Sequence, residues 1–196
     1  AHDDTIILSG DHIYRMDYAS ILKTHQALNA DATIACMKVP IELANQFGIV
    51  TADAGQKITD FQEKPDTTEG CSDDKNFALA SMGIYIFSTK LLIDILEKDS
   101  QDENSSHDFG KDILPSLIDN NKLFAHYFGE SEGRVSPDNY WRDVGTIDSF
   151  YQANMDLLDP VPSMDLYQKD WPIRSYQSQT PPARAVPGSS GTEGVF

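Results

Sequence analysis

Short apolar runs of strand length alternate along this chain with stretches of helical period, and that alternation restricts it to a layered α/β fold. Thr5-Ile6-Ile7-Leu8 is a continuous apolar run, as expected of a strand covered on both faces. Tyr18, Ile21, Leu22, His25 and Leu28 then recur at helical spacing behind Asp17, which is placed to cap them. Residues 33–39 give a second buried strand, and 48–50 with 57–61 flank a turn at Asp53-Ala54-Gly55, the pattern of a hairpin. After a polar loop over 66–76 come a strand at 84–87, a helix holding Leu91, Leu92, Ile95 and Leu96, and a helical patch over 113–118 whose start Pro115 limits. Residues 123–128 are a further strand. Ile147, Phe150, Tyr151, Asn154, Met155 and Leu158 then trace the cleanest helix, with Thr146 as its cap and Asp148 in its first turn. These elements predict a doubly wound, mostly parallel sheet with an antiparallel hairpin insertion, over residues 1–159.

Composition narrows what such a domain can bind. The chain carries 15 basic against 31 acidic residues, a net charge of −16. The excess is not a tail, with 8 basic against 16 acidic residues in 1–100 and 7 against 15 in 101–196. A uniformly acidic surface argues against nucleic-acid grooves and anionic membranes, which require a basic face. Phosphate ligands then depend on metal ions and a few placed cations. No apolar run approaches the roughly 20 residues of a membrane helix, and no basic-then-apolar leader opens the chain. Without an initiator Met, and with a strand almost at once, it reads as a piece of a longer protein. Cys36, in an apolar run, and Cys71 make no disulfide scaffold, so a reducing cytoplasm is expected. Residues 160–196 hold six prolines and end near Gly188-Ser189-Ser190-Gly191, the composition of a linker.

In doubly wound sheets, ligands bind beyond the carboxyl ends of the strands. Asp11 follows the first strand through Gly10, where a carboxylate either holds a hard cation or closes a turn. Glu63-Lys64-Pro65 ends the hairpin, with Pro65 expected to hold Lys64 extended. The ammonium suits a phosphate and the carboxylate suits sugar hydroxyls, although a solvated charge pair closing a hairpin has the same sequence. Gly48 and Ser81-Met82-Gly83 read as strand starts, where small residues admit close backbone approach. Asp143, just before the best helix, is either a metal ligand or that helix's N-terminal anion. Ser106-His107-Asp108 is no hydrolytic triad, since adjacency does not build one and no G-x-S-x-G elbow exists.

Five segments occur in order: Ile7-Leu8-Ser9-Gly10-Asp11-His12-Ile13-Tyr14, Phe61-Gln62-Glu63-Lys64-Pro65, Leu79-Ala80-Ser81-Met82-Gly83-Ile84-Tyr85, His107-Asp108-Phe109-Gly110-Lys111-Asp112, and Tyr140-Trp141-Arg142-Asp143-Val144-Gly145-Thr146. Together they resemble the bacterial glucose-1-phosphate adenylyltransferases, over Thr5 to about Arg184. The resemblance implies a glycosyltransferase-A-like nucleotidyltransferase domain in a cytoplasmic homotetramer of glycogen synthesis, joining ATP to glucose 1-phosphate. It also implies Mg²⁺ on Asp11 and Asp143, Lys64 on the sugar phosphate, and Gly48, Glu63 and Ser81 on glucose. Asp11, Asp143 and Lys64 would be the catalytic set. The family's glycine- and arginine-rich nucleotide loop and its C-terminal left-handed β-helix do not occur in this sequence, so the chain alone is expected to be inactive. Two rivals share the fold: a transferase for another nucleotide, and a non-catalytic regulatory subunit. The latter would be expected to lose a charged site residue, and here all three stand.

Overall fold

The computed structural model describes residues 3–129, 139–169, 171–176, 179, 186–187 and 194–195. Its centre is β6 (Phe77–Ser88), a twelve-residue strand buried along most of its length. On one side lies β3 (Ala32–Pro40), itself followed by β7 (Leu123–Tyr127). On the other side β6 meets β4 (Gly48–Ala52) with its first half and β1 (Asp4–Leu8) with its second. The hairpin partner β5 (Ile58–Glu63) closes that edge through β4.

The α/β class is as expected, and so is the hairpin, but the sheet is mixed rather than mostly parallel. Strands β1, β3, β4 and β7 run one way and β5 and β6 the other, so β3 beside β7 is the one parallel pair among the described neighbours. The strands on either side of the first helix do share a direction; β6 enters between them in the opposite sense.

Both sheet faces are covered. Helix α1 (Tyr18–Ala27), capped by the Asp17 carboxylate on the Ala19 N–H, seats Ile21 against Ala35, Met82, Ile84 and Ile86. On the other face α2 (Thr89–Asp99) and α3 (Leu114–Leu117) bring Leu92, Leu114 and Leu117 onto Ile34, Phe87 and Leu123. Burying each such side chain stabilises the fold by roughly 1.5–3 kcal/mol. A wide π-type turn over Phe109–Ile113 precedes α3, with Pro115 at the helix start where its missing N–H is no loss.

Ser81-Met82-Gly83 lies inside β6, not at a strand start. Gly83 has φ +66°, a left-handed conformation that suits glycine, and the β3 register shifts opposite it between Ile34 and Cys36. Nor is β1 covered on both faces: paired among the described residues only with β6, it leaves Ile6 and Leu8 39% and 45% exposed. Helix α4 (Ile147–Asp156) forms behind a Thr146–Ser149 capping box, yet Ile147, Phe150 and Tyr151 are exposed and only Ala153 of the helix is buried. Residues 1–164 and 165–196 form separate compact units. In the second, β9 (Val186–Pro187) pairs antiparallel with β10 (Gly194–Val195). Among the described residues no helix is long and apolar enough to cross a membrane.

Candidate active site

Two strands of three residues each, β2 (His12–Tyr14) and β8 (Trp141–Asp143), pair antiparallel with His12 opposite Asp143. The Val144 N–H extends the ladder to the Asp11 carbonyl at 2.9 Å, so Asp11 and Asp143 stand abreast despite their distance in sequence. Asp11 Oδ1 accepts the Ser9 hydroxyl at 2.7 Å, and Asp143 Oδ1 accepts the Gly145 N–H at 2.7 Å. His12 Nε2 lies 3.6 Å from Asp11 Oδ1 and 3.9 Å from Asp143 Oδ2. A ligand atom from each of the three residues can be chosen so that all lie within 4.8 Å of one another. A side chain at position 145 would intrude here: a Cβ would sit 3.1 Å from Asp143 Oδ1 and 3.2 Å from Asp11 Oδ2. The Ser9 hydroxyl, aided by His12 and opposed by slight burial, holds the Asp11 carboxyl below its ordinary range, so it stays anionic. Two partly exposed carboxylates with hard oxygen donors fit a divalent cation such as Mg²⁺ or Mn²⁺. Behind them Arg142 Nη2 grips Asp156 Oδ2 of α4 at 2.6 Å, and the Tyr140 hydroxyl donates to the same oxygen at 2.8 Å. These bonds fasten β8 to α4.

Beside this pair is a cleft of about 150 Å³ whose walls include Gly48, Glu63, Lys64, Ser81 and Asp143. Five of the six sequence-predicted site residues thus share one cavity, and Asp11 stands next to it through the ribbon. Gly48 faces Glu63 across the hairpin, and a Cβ on it would lie 2.6 Å from Phe61 Cζ, so only glycine fits. Ser81 is buried, its Oγ taking the Gly83 N–H at 3.3 Å. Lys64 is exposed and, contrary to the extended form expected before a proline, has φ +46°. Its N–H is bonded to the Phe47 carbonyl at 3.0 Å, which curls the backbone and overrides the pre-proline preference. Burial raises the Glu63 carboxyl above its ordinary value, with Asp108 adding to the rise and Lys64 and Lys111 opposing it.

His12, Tyr85 and Trp141 line the same cleft without having been singled out from the sequence. Burial pushes the Tyr85 hydroxyl up to about 12, so it remains a proton donor. Each lies within one of the five segments, and membership of a segment was the available signal. The 107–112 segment builds the π-type turn: Asp108 accepts from the N–H groups of Gly110 and Lys111 at 2.8 and 3.0 Å. Gly110 then abuts Glu63, and a Cβ there would overlap Glu63 Oε2. Larger clefts, of about 480 Å³ beside Cys71 and about 580 Å³ beside Asp99, contain none of the predicted residues.

Residues 1–160 match the family model described as nucleotidyl transferase. Glucose-1-phosphate adenylyltransferase 2 of Vibrio vulnificus is 56% identical over 191 residues, covering 97% of this chain and 47% of that protein. The Vibrio cholerae protein of the same name is 54% identical with the same coverage. Glucose-1-phosphate adenylyltransferase of Cereibacter sphaeroides is 48% identical over 192 residues, covering 97% of this chain and 45% of that protein. The chain spans about half the length of the curated relatives it matches.

Proposed function

The chain belongs to the nucleotidyl transferase family, and from that premise we propose that it carries the site at which glucose 1-phosphate takes the adenylyl group of ATP, giving ADP-glucose and pyrophosphate. The observation that carries this reading is the meeting of Asp11 and Asp143 beside a cleft walled by Glu63, Lys64 and Ser81. A phosphate oxygen of the sugar phosphate attacks the α-phosphorus in line, forming the new P–O bond as the bond to pyrophosphate breaks. No covalent enzyme intermediate is needed, so the work of the residues is positioning and charge balance. Lys64 brings a compact positive charge to the phosphate of glucose 1-phosphate. Glu63, whose carboxylate is kept near the hairpin by Gly48 and Gly110, accepts sugar hydroxyls. Ser81, buried at the kink of β6, adds a short polar contact. Asp11 and Asp143 would hold Mg²⁺, which supplies the charge neutralisation that an acidic protein lacks. The matching names of the relatives favour ATP over other nucleotides and a catalytic over a regulatory role. Glycogen synthesis by a cytoplasmic homotetramer is the setting that follows from this reading.

The test is pyrophosphate release by the full-length protein with ATP, glucose 1-phosphate and Mg²⁺, compared with UTP and dTTP. Asp143→Asn should lower kcat by at least about a hundredfold, the scale of lost charge stabilisation at a transferring phosphoryl group. Turnover with UTP but not ATP would replace the adenylyl assignment. Full activity in Asp143→Asn would remove that carboxylate from the chemistry.

A further inference from the structure

His12 has no role in the reaction as described, yet the fold provides a dedicated seat for it. Its side chain is only 10% exposed, and its ring stands edge-on to Trp141 with centroids 5.1 Å apart. The kink in β6 makes the room: a Cβ on left-handed Gly83 would lie 3.2 Å from His12 Cε1. The two ring nitrogens then meet opposite surroundings. Nε2 faces both carboxylates, whereas Nδ1 is buried with no hydrogen-bond partner among the described residues.

That contrast assigns the proton. With the hydrogen on Nδ1, an N–H would be buried without an acceptor while a lone pair on Nε2 faced two anions. Placing it on Nε2 turns the N–H toward the carboxylates and leaves at Nδ1 only an unpaired lone pair, a smaller cost than a buried N–H without an acceptor. A nitrogen carrying that hydrogen has no lone pair for a metal, so His12 is poorly suited to being a third ligand despite its position. We infer that His12 is a positioning residue whose Nε2–H is directed between Asp11 Oδ1 and Asp143 Oδ2 and holds the two carboxylates at the spacing a divalent cation needs. The Ser9 hydroxyl and the Gly145 N–H hold the same carboxylates from other sides. Each carboxylate oxygen has two lone-pair directions, so these donors leave others for the cation. At 3.6 and 3.9 Å the His12 contacts are longer than hydrogen bonds. Contacts of this kind commonly tighten only when the ligand is in place.

The inference rests on the proposed metal-binding role of Asp11 and Asp143, and the test separates the two. Mn²⁺ binding to the full-length protein, read by electron paramagnetic resonance without nucleotide, should be detected in the wild type and lost in Asp143→Asn. No binding in the wild type would overturn the metal reading and the inference with it. His12→Leu should weaken Mn²⁺ by about tenfold to a hundredfold, the usual effect of removing a residue that orients ligands. It should raise the Mg²⁺ requirement by a larger factor than KM for glucose 1-phosphate. His12→Gln, which carries an N–H at a reach similar to Nε2, should restore most of the affinity. Should His12→Leu not fold, His12→Asn takes its place, since its amide falls short of that reach. Wild-type Mn²⁺ affinity in His12→Leu or His12→Asn would overturn the inference. So would a Zn²⁺-over-Mn²⁺ preference that collapses in His12→Gln, because that marks a lost imidazole ligand.

Discussion

The two sides of the proposed site are built in different ways. The sugar side hangs from the long strands β4, β5 and β6, with Gly48 and Ser81 buried and Glu63 wedged by Gly48 and Gly110. The metal side is a ribbon of two three-residue strands whose carboxylates are 56% and 42% exposed. One side takes its geometry from the hydrophobic core; the other depends on local donors at Ser9, Gly145 and His12 and on the Arg142–Asp156 fastening. Core-derived geometry costs nothing extra at the site, since the packing that folds the sheet also places Ser81. Locally held geometry is easier to disturb, and it suits a pair of charges that must stay hydrated until a cation arrives.

The largest expected contrast is catalytic, the loss of at least about a hundredfold in kcat in Asp143→Asn given above, with the sheet left intact. A pH experiment probes the packed sheet that supports the sugar side. His126 of β7 is buried against Thr24 of α1, and burial lowers its pKa from 6.5 to about 4. The unfolded chain therefore takes up this proton first, so the stabilisation is complete above pH 6.5 and is lost as pH falls toward 4. The loss amounts to about 3 kcal/mol. Urea unfolding between pH 7 and 4 should show this slope, reduced in His126→Gln; an equal slope in both would place the titration elsewhere.

Lys64→Ala tests the sugar side. Removing one charge-assisted contact costs roughly 1.5–3 kcal/mol, about ten- to a hundredfold in KM for glucose 1-phosphate, with KM for ATP little changed. An equal rise for both substrates would mean that Lys64 does not distinguish them. The smallest effect is expected from Gly110→Ala, whose new methyl must displace the Glu63 carboxylate. Weakening one sugar contact of Glu63 by about 1 kcal/mol corresponds to about fivefold in the same KM. Unaltered sugar-phosphate kinetics would show that Glu63 is not held by this turn.

Legibility followed the same division. Strands β3 and β7, the β4–β5 hairpin and the caps of α1 and α4 were readable because each carries a periodic or capping pattern several residues long. The direction of β6 was not. Residues 78–82 and 84–87 are all buried, and a strand covered on both faces has the same composition whichever way it runs. Strands β2 and β8 carry no such pattern, because three residues have no period. Asp11 and Asp143 stand out by chemistry and by the segments around them; Lys64 lies in the cleft beside them, on a backbone other than the extended one its proline predicts. His12 lies in one of the five segments, but nothing in its neighbours reveals that one ring nitrogen would face two carboxylates and the other face none.

In the proposed reaction the short ribbon and the long sheet work together, with Asp11 and Asp143 holding a single cation beside a sugar phosphate bound at Lys64. Crystals of the full-length protein with Mn²⁺ and glucose 1-phosphate, measured at a wavelength where manganese scatters anomalously, test it directly. One manganese peak is expected within coordination distance of both carboxylates, with a phosphate within hydrogen-bond reach of Lys64 Nζ. A peak on neither carboxylate, or a sugar phosphate bound outside the cleft of Gly48, Glu63 and Ser81, would contradict it.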